Sequence, residues 1–332
     1  MARYAFHDLT LEVEGAETET GVDLDRVLGE LSWERTEVWP GRPTLSLSVH
    51  PNNDEFQFPT TAREVLRADG FCGLESGDEF YLTDGASLLH LEPRKGWGEA
   101  RLAPSFFLKP PLLRQNFWIF GLLKLLRPSG IYGLHAAGLV AEDGMGVLVV
   151  GQSGSGKSTL AIALVRSGWR YLSDDAVLLR SRPDGVEALA LRRHFYVVSA
   201  EAGDYADLPI GEERPDRCGG HRRRVGIETA YPAQRVGACI PRVLLFSRIS
   251  SEEQSALLPL DRAHALGQLI SQSSPQLFDR QTMAPHLATL NLLLQQAVAY
   301  ELYAGIDLRE DSIALLRLLA VARGERPCLA SS

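Results

Sequence analysis

From residue 131 onward, apolar β-branched runs alternate with segments whose apolar positions recur at three- and four-residue spacing, the pattern of strands alternating with helices. "GVLVVG", residues 146–151, predicts a buried strand, and "STLAIALVRSG", residues 158–168, predicts a helix that stops at Gly168. "GWRYLSDD", residues 168–175, predicts a second strand. A right-handed crossover returns that strand parallel to the first, with its carboxyl end beside the intervening turn. Upstream, "IYGLHAAGLVAEDGMGVLVVGQ", residues 131–152, predicts a hairpin turning at Asp143-Gly144. Pairing Glu142 with Met145 sets His135 opposite Gln152, at the border of the same turn. The alternation as a whole predicts an α/β domain over residues 131–325.

The first third of the chain has a different texture. Short alternating stretches, "ERTEVWPGRPTLSLSV", "GDEFYLTDGASLLHLE" with a turn at Asp84-Gly85, and "RKGWGEARL", predict a β-rich domain over residues 1–105. A connecting segment, residues 106–130, contains "PLLRQNFWIFGLLKLLR", which predicts a helix that opens on Pro111 and ends before Pro128-Ser129-Gly130. It is too short and too charged to span a bilayer, so a core or interdomain helix is expected. Residues 201–224 are polar and turn-rich and predict a loop region.

Composition narrows the class. The chain has 332 residues, 45% hydrophobic and 23% charged, which is ordinary for a globular protein with a sizeable core. A formal net charge of −8 argues against a general role on nucleic acid or an anionic membrane. No basic-then-apolar leader pattern opens the sequence and no run of eighteen apolar residues occurs, so a cytoplasmic protein is expected. Cys72, Cys218, Cys239 and Cys328 lack C-x-x-C spacing and are expected as reduced thiols.

The chemistry gathers between the strand and the helix. Gly151, Gly156, Lys157 and Ser158 fit G-x-x-x-x-G-K-[ST], and the strand–turn–helix context is the one that motif requires. Gly151, Gly154 and Gly156 leave room for backbone N–H groups to face phosphate oxygens at the helix amino terminus, with Lys157 adding a positive charge. Ser158 can offer its hydroxyl to Mg²⁺. With Ser153, Ser155 and Thr159 these residues form the expected nucleotide-binding set. Asp174 and Asp175 follow only seventeen and eighteen residues after the lysine. At the end of the predicted second strand, one carboxylate can reach the metal while the other lies where an acceptor hydroxyl would approach the γ-phosphate.

The run from His135 through Asp175 resembles the carboxy-terminal catalytic domain of HPr kinase/phosphorylase and its bacterial relatives. That resemblance implies the α/β P-loop fold of the HPr kinase and PEP carboxykinase type, ATP and Mg²⁺ as cofactors, and oligomeric assembly. It also implies roles: Lys157 on phosphate, Ser158 and Asp174 on Mg²⁺, Asp175 as proton acceptor, His135 as its helper. "RRVGIETA", residues 223–230, resembles the family's R-G-x-G-I signature, but His221 stands where the family has a metal-binding glutamate. Arg242, before the predicted strand "VLLF", takes the place of the family's active-site arginine. Arg222, Arg223 and Arg224 read otherwise as a solvated loop face.

Competing classes are weighed by their own motifs. The N-K-x-D element of GTPases and the L-S-G-G-Q element of transport ATPases are absent from the sequence. A metabolite kinase would also carry early aspartates after its phosphate loop, though such enzymes begin near the loop. A non-catalytic nucleotide-binding regulator would have no need of an acceptor-side carboxylate. The expectation is an ATP- and Mg²⁺-dependent kinase acting on a hydroxyl, foremost a serine of a protein or peptide, including ribosomal precursor peptides, with a metabolite hydroxyl as the alternative.

Overall fold

The computed structural model describes residues 1–18, 21–37, 44–199, 203, 205–211, 213–215, 220–273, 281–310 and 312–322. These residues fall into two compact units, the first built from residues 1–132 with 281–283 and the second from the remainder. Cys218 and Cys328 lie outside the described residues, while Cys72 and Cys239 are free thiols. Among the described residues no helix is long and apolar enough to cross a membrane.

The first unit is a nine-stranded mixed sheet made by β1 (Ala2–Phe6), β2 (Leu9–Glu14), β3 (Glu34–Arg35), β4 (Leu45–Pro51), β5 (Arg63–Ala68), β6 (Phe71–Ser76), β7 (Glu79–Thr83), β8 (Leu88–Glu92) and β9 (Trp97–Leu102). Their order is β3-β1-β2-β4-β9-β8-β7-β6-β5. Buried and exposed residues alternate along β1, β2 and β4, as a sheet with one packed face requires. The turn between β7 and β8 falls at the expected place, with the Asp84 carboxylate accepting from the backbone N–H groups of Ala86 and Ser87. Two helices cover the sheet, α1 (Val22–Glu30), which the strand-rich pattern of this region did not announce, and α3 (Pro111–Leu126), which follows the short α2 (Pro104–Phe107). Gly121 lets α3 approach closely, because a Cβ there would stand 2.3 Å from Leu89 Cδ2. Phe117 and Trp118 on α3 and Phe106 on α2 are buried against one another, edge to face.

The second unit is α/β. After β10 (Ile131–Leu134) come β11 (Ala136–Val140), β12 (Gly146–Val150), α4 (Lys157–Arg166), β13 (Arg170–Ser173), β14 (Val177–Arg182), β15 (Gly185–Ala190), β16 (His194–Val198), β17 (Glu213–Pro215), β18 (His221–Gly226) and α5 (Ile227–Ala230). They are followed by β19 (Ala238–Cys239), β20 (Pro241–Ile249), β21 (Ala256–Pro259), α6 (Arg262–Gln272), α7 (Met283–Gln296), β22 (Val298–Ala304), α8 (Asp307–Glu310) and α9 (Ser312–Ala322). The central sheet runs β13-β11-β12-β20-β22-β21, with β12, β20 and β22 parallel. Both of its faces are buried: Val147, Val149, Val243 and Leu245 pack with α4, and Leu148, Val150, Leu244 and Phe246 pack with residues of α6 and α7. That two-sided burial explains why these strands read as continuous apolar runs.

β13 pairs antiparallel with β11, which itself pairs antiparallel with β12, so β12 and β13 point the same way with β11 between them. The crossover through α4 therefore brings the carboxyl end of β13 to the glycine turn, as expected. The hairpin register differs by one residue from the expected one. Val140 pairs with Gly146 and Ala136 with Val150, so the turn spans Ala141 to Met145 and the register continues to Gly151 opposite His135, not Gln152. An odd-numbered turn has replaced the two-residue one, closed by the Ala141 N–H donating to the Met145 carbonyl at 2.9 Å.

Candidate active site

The turn between β12 and α4 has the backbone its glycines permit. Gly154 and Gly156 have φ of 83° and 86°, in the left-handed region that favours glycine. At Gly151 the constraint is space: a Cβ would stand 2.4 Å from Ser155 Oγ. Ser155 in turn exchanges a hydrogen bond at 3.0 Å with Ser247, near the carboxyl end of the neighbouring β20, which fixes the loop to the sheet. Lys157 Nζ donates to the carbonyls of Gly151 and Gln152, both at 2.8 Å, so the ammonium is buried inside the loop. Burial first, and the nearby Arg222 guanidinium, lower its pKa, while Asp175 and Asp174 work the other way.

The two aspartates are treated differently by the fold. Asp174 is fully buried; its Oδ2 accepts from Ser158 Oγ at 2.8 Å and from the Tyr196 N–H at 3.3 Å. Its Oδ1 is buried without a hydrogen-bond partner. Burial and the neighbouring Asp175 charge raise the pKa of Asp174, against the hydrogen bonds from Ser158 and Tyr196. Asp175 is held at φ 63°, a conformation that Asp tolerates and that re-aims its side chain away from that of Asp174. Its Oδ1 meets His135 Nε2 at 3.0 Å and its Oδ2 lies 3.4 Å from the Arg192 guanidinium. Burial pushes the Asp175 pKa up, but His135 and Arg192 outweigh it and hold the carboxyl well below the usual range.

His135 sits in the short break between β10 and β11. Its backbone N–H donates to the Gln272 carbonyl at 2.7 Å, and its Nδ1 lies 3.0 Å from the Gln272 side-chain oxygen at the end of α6. A cavity of about 390 Å³ opens over the loop, lined among others by Lys157, Ser158, Asp175, Tyr196, Arg222 and Ile249. Ser153, Gly154, Ser155, Gly156 and Thr159 line it as well. Arg222 Nη2 donates to Ser153 Oγ at 3.0 Å.

The structure thus brings together Lys157, Ser158, Asp174, Asp175 and His135. It does not bring in Arg242. In the parallel register of β12 and β20, Pro241 pairs with Gly146 and Phe246 with Val150, so Arg242 is exposed at the opposite end of the sheet. Four strand residues separate it from Ser247, which contacts the glycine turn, a span of roughly 16 Å. His221 is exposed at the start of β18 and is not among the residues lining the cavity. The solvated reading of Arg222 is corrected by its contact with Ser153 of the glycine turn. Arg192, Gln272 and Ser247 were not anticipated; each joins the site through tertiary contact and stands in no local motif.

Among the described residues no cluster of three His, Cys, Asp or Glu side chains could hold a metal alone. The donor set that fits Mg²⁺ is Ser158 Oγ with the Asp174 carboxylate, whose unpartnered buried Oδ1 marks an unmet need for a donor or cation. One hydroxyl and one carboxylate are a sufficient protein contribution for a cation that draws its other ligands from phosphate and water.

A glycine turn at a helix amino terminus, one lysine, one hydroxyl and an acidic pair are the features that a nucleotide-phosphate site would require. The particular likeness lies in one stretch. Residues 133–192 match the family model described as HPr Serine kinase C-terminal domain, and this segment is HPr kinase-like. The HPr kinase/phosphorylase of Mycoplasmopsis pulmonis is 56% identical over 76 residues, 23% of this chain and 24% of its own. That of Geobacillus sp. is 41% identical over 63 residues, 19% of each chain. That of Lactobacillus delbrueckii subsp. bulgaricus is 47% identical over 55 residues, 17% of this chain and 16% of its own. The matches span about a fifth of the length of these curated relatives. Among solved structures, the Hpr(Ser) kinase/phosphatase from Coxiella burnetii aligns over 58% of this chain and 95% of its own, at 16% identity and a TM-score of 0.29, too weak a likeness to carry an argument.

Proposed function

We propose that this chain is an ATP- and Mg²⁺-dependent kinase that transfers a γ-phosphoryl group to a hydroxyl, foremost a serine of a protein or peptide. The observation that carries the reading is the division of labour at the end of β13. Asp174 is turned inward onto Ser158 at 2.8 Å, while Asp175, one residue later and at positive φ, lines the cavity. Two adjacent carboxylates aimed at two different places suit a metal and an acceptor, and suit a solvated acidic turn poorly. The HPr kinase-like segment supports the same class, and HPr kinase/phosphorylase relatives support a protein acceptor.

In the proposed step the acceptor oxygen bonds to the γ-phosphorus as the bond from that phosphorus to the β–γ bridging oxygen breaks. ADP leaves with the electron pair and the hydroxyl proton passes to Asp175. Mg²⁺ held by Ser158 and Asp174 would offset charge on the β- and γ-oxygens. Lys157 would exchange its loop carbonyls for phosphate oxygens, which are stronger acceptors. Asp175 at rest is a weak base, because His135 and Arg192 stabilise its ionised form. Its main task is therefore to orient the hydroxyl, with the proton moving late, as a loose phosphoryl-transfer transition state allows. His135, tethered by Gln272, fixes the direction of that carboxylate.

The test is incubation with Mg²⁺-ATP and candidate acceptors, including peptides encoded beside the gene, with a phosphate mass gain on a serine as the expected outcome. A gain on metabolites alone would replace the acceptor class. Nucleotide binding without transfer to any acceptor would leave a regulator and sink the kinase reading.

A further inference from the structure

Transferring phosphoryl groups spread negative charge over three oxygens, and enzymes meet it with fixed cations. Arg242 is exposed at the far end of β20, Arg192 lies against Asp175, and Lys157 serves the inner side of the loop. The outer side faces β18.

There the strand register decides which arginine turns inward. In the β16–β18 pair, Arg222 stands opposite Val198 and Arg224 opposite Tyr196, while Arg223 stands opposite Val197. Paired residues share a face and successive residues alternate. Tyr196, Val197 and Val198 all line the cavity above the loop, and of the three arginines only Arg222 lines it with them. Its guanidinium donates to Ser153 Oγ at 3.0 Å, at the tip of the loop, and its charge acts on the Lys157 ammonium. Two cations are thus held on either side of one glycine turn. A lysine inside the turn and an arginine at its tip stand where both can meet one phosphate.

We propose that Arg222 is a further catalytic residue, contacting the γ-phosphoryl group of the nucleotide and stabilising it during transfer. This rests on the kinase reading above and adds to it a residue outside the glycine–lysine motif. A terminal phosphate would take the place of the neutral Ser153 hydroxyl as an acceptor for the guanidinium, because a charged oxygen is the stronger partner.

The experiment compares Mg²⁺-ADP with the Mg²⁺ complex of a non-hydrolysable ATP analogue, by titration calorimetry on the full chain and on Arg222→Gln and Arg222→Lys. If Arg222 meets the γ-phosphate, Arg222→Gln weakens the analogue roughly tenfold, the loss of one charge-assisted hydrogen bond, and leaves ADP unchanged. Arg222→Lys recovers part of the loss. Once an acceptor is in hand, transfer by Arg222→Gln falls on the order of 10²- to 10³-fold. Equal binding of the analogue by wild type and Arg222→Gln overturns the assignment and leaves the kinase reading standing. Equal weakening of both nucleotides overturns it too, since that marks a residue that only braces the loop. Failure of the wild-type chain to bind either nucleotide brings down the kinase reading and this assignment with it.

Discussion

Asp23 in the first unit and Asp174 in the second are both buried aspartates, 5% and 0% exposed, and they are satisfied to different degrees. Asp23 spends both oxygens: Oδ1 meets Arg26 at 2.9 Å and Arg114 at 3.2 Å, and Oδ2 accepts from Trp118 Nε1 at 3.2 Å. Asp174 gives one oxygen to Ser158 and the Tyr196 N–H and leaves the other with no hydrogen-bond partner. A buried carboxylate closed on every side fastens α1 to α3. One left open has a cost in the resting fold, and such a cost persists where a ligand meets it. Burial alone does not mark a site; incomplete satisfaction beside a cavity does.

The sharpest way to break this contrast is at Asp175, which the open site turns toward the cavity. Asp175→Asn keeps the shape and still accepts from His135, but it exchanges one acceptor oxygen for a donor, so it can neither orient the hydroxyl through that atom nor take its proton. Nucleotide affinity should hold while single-turnover transfer falls ~10²- to 10⁴-fold. Full transfer by this variant would remove the acceptor-side role altogether.

The closed aspartate should fail in the opposite currency. Asp23→Ala leaves Arg114 and the buried Trp118 N–H without their carboxylate, a loss of about 3 kcal/mol by the usual cost of breaking a buried pair. Amide hydrogen exchange in α1 and α3 should quicken roughly 10²-fold, the same energy expressed as a ratio, with transfer activity untouched at low temperature. Lost activity with unchanged exchange would reverse the roles given to the two units.

Lys157→Ala is the next smaller change. It removes the ammonium now on the Gly151 and Gln152 carbonyls, and ATP affinity should drop roughly 10- to 100-fold, the worth of one strong charged hydrogen bond. Unchanged ATP binding would move the nucleotide away from this loop.

How much of this was legible in the sequence follows from which contacts are local. The loop, its lysine and its serine are contiguous, and their strand–turn–helix setting is written in apolar periodicity, so they could be read directly. The aspartates needed one geometric step, the crossover that returns β13 beside the turn. His135 was placed near the site although the hairpin register slipped by one, because the odd turn from Ala141 to Met145 has no signature beyond the Asp-Gly pair that suggested a shorter one. Arg242 was aligned by resemblance, and the parallel register of β12 with β20 carries it to the wrong end of the sheet. Arg192 reaches the site from the connection between β15 and β16, Arg222 from β18 and Gln272 from the end of α6. Pairings between β16 and β18, or between His135 and the end of α6, are set by tertiary packing and leave no spacing to read.

The smallest expected effect is also the most discriminating, because it changes sign. Asp174 has its pKa raised in the folded chain by burial and by the Asp175 charge. A raised carboxyl pKa means the folded state binds the proton more tightly than the unfolded one, so stability falls as pH climbs from the ordinary carboxylate value through the raised one. At neutral pH and without nucleotide or Mg²⁺, the ionised Asp174 therefore works against folding. Asp174→Asn removes that charge, keeps an oxygen for Ser158, and should stabilise the second unit by on the order of 1 kcal/mol, the scale of an unsatisfied buried polar atom. Saturating Mg²⁺-ATP should reverse the ranking, since only the carboxylate offers a charged metal ligand, and the Mg²⁺ concentration needed for half-maximal transfer should rise in the variant. Thermal unfolding of both proteins with and without Mg²⁺-ATP reads both signs at once. A variant less stable than the parent in the absence of ligand would place Asp174 beside Asp23, as a carboxylate whose work is structural.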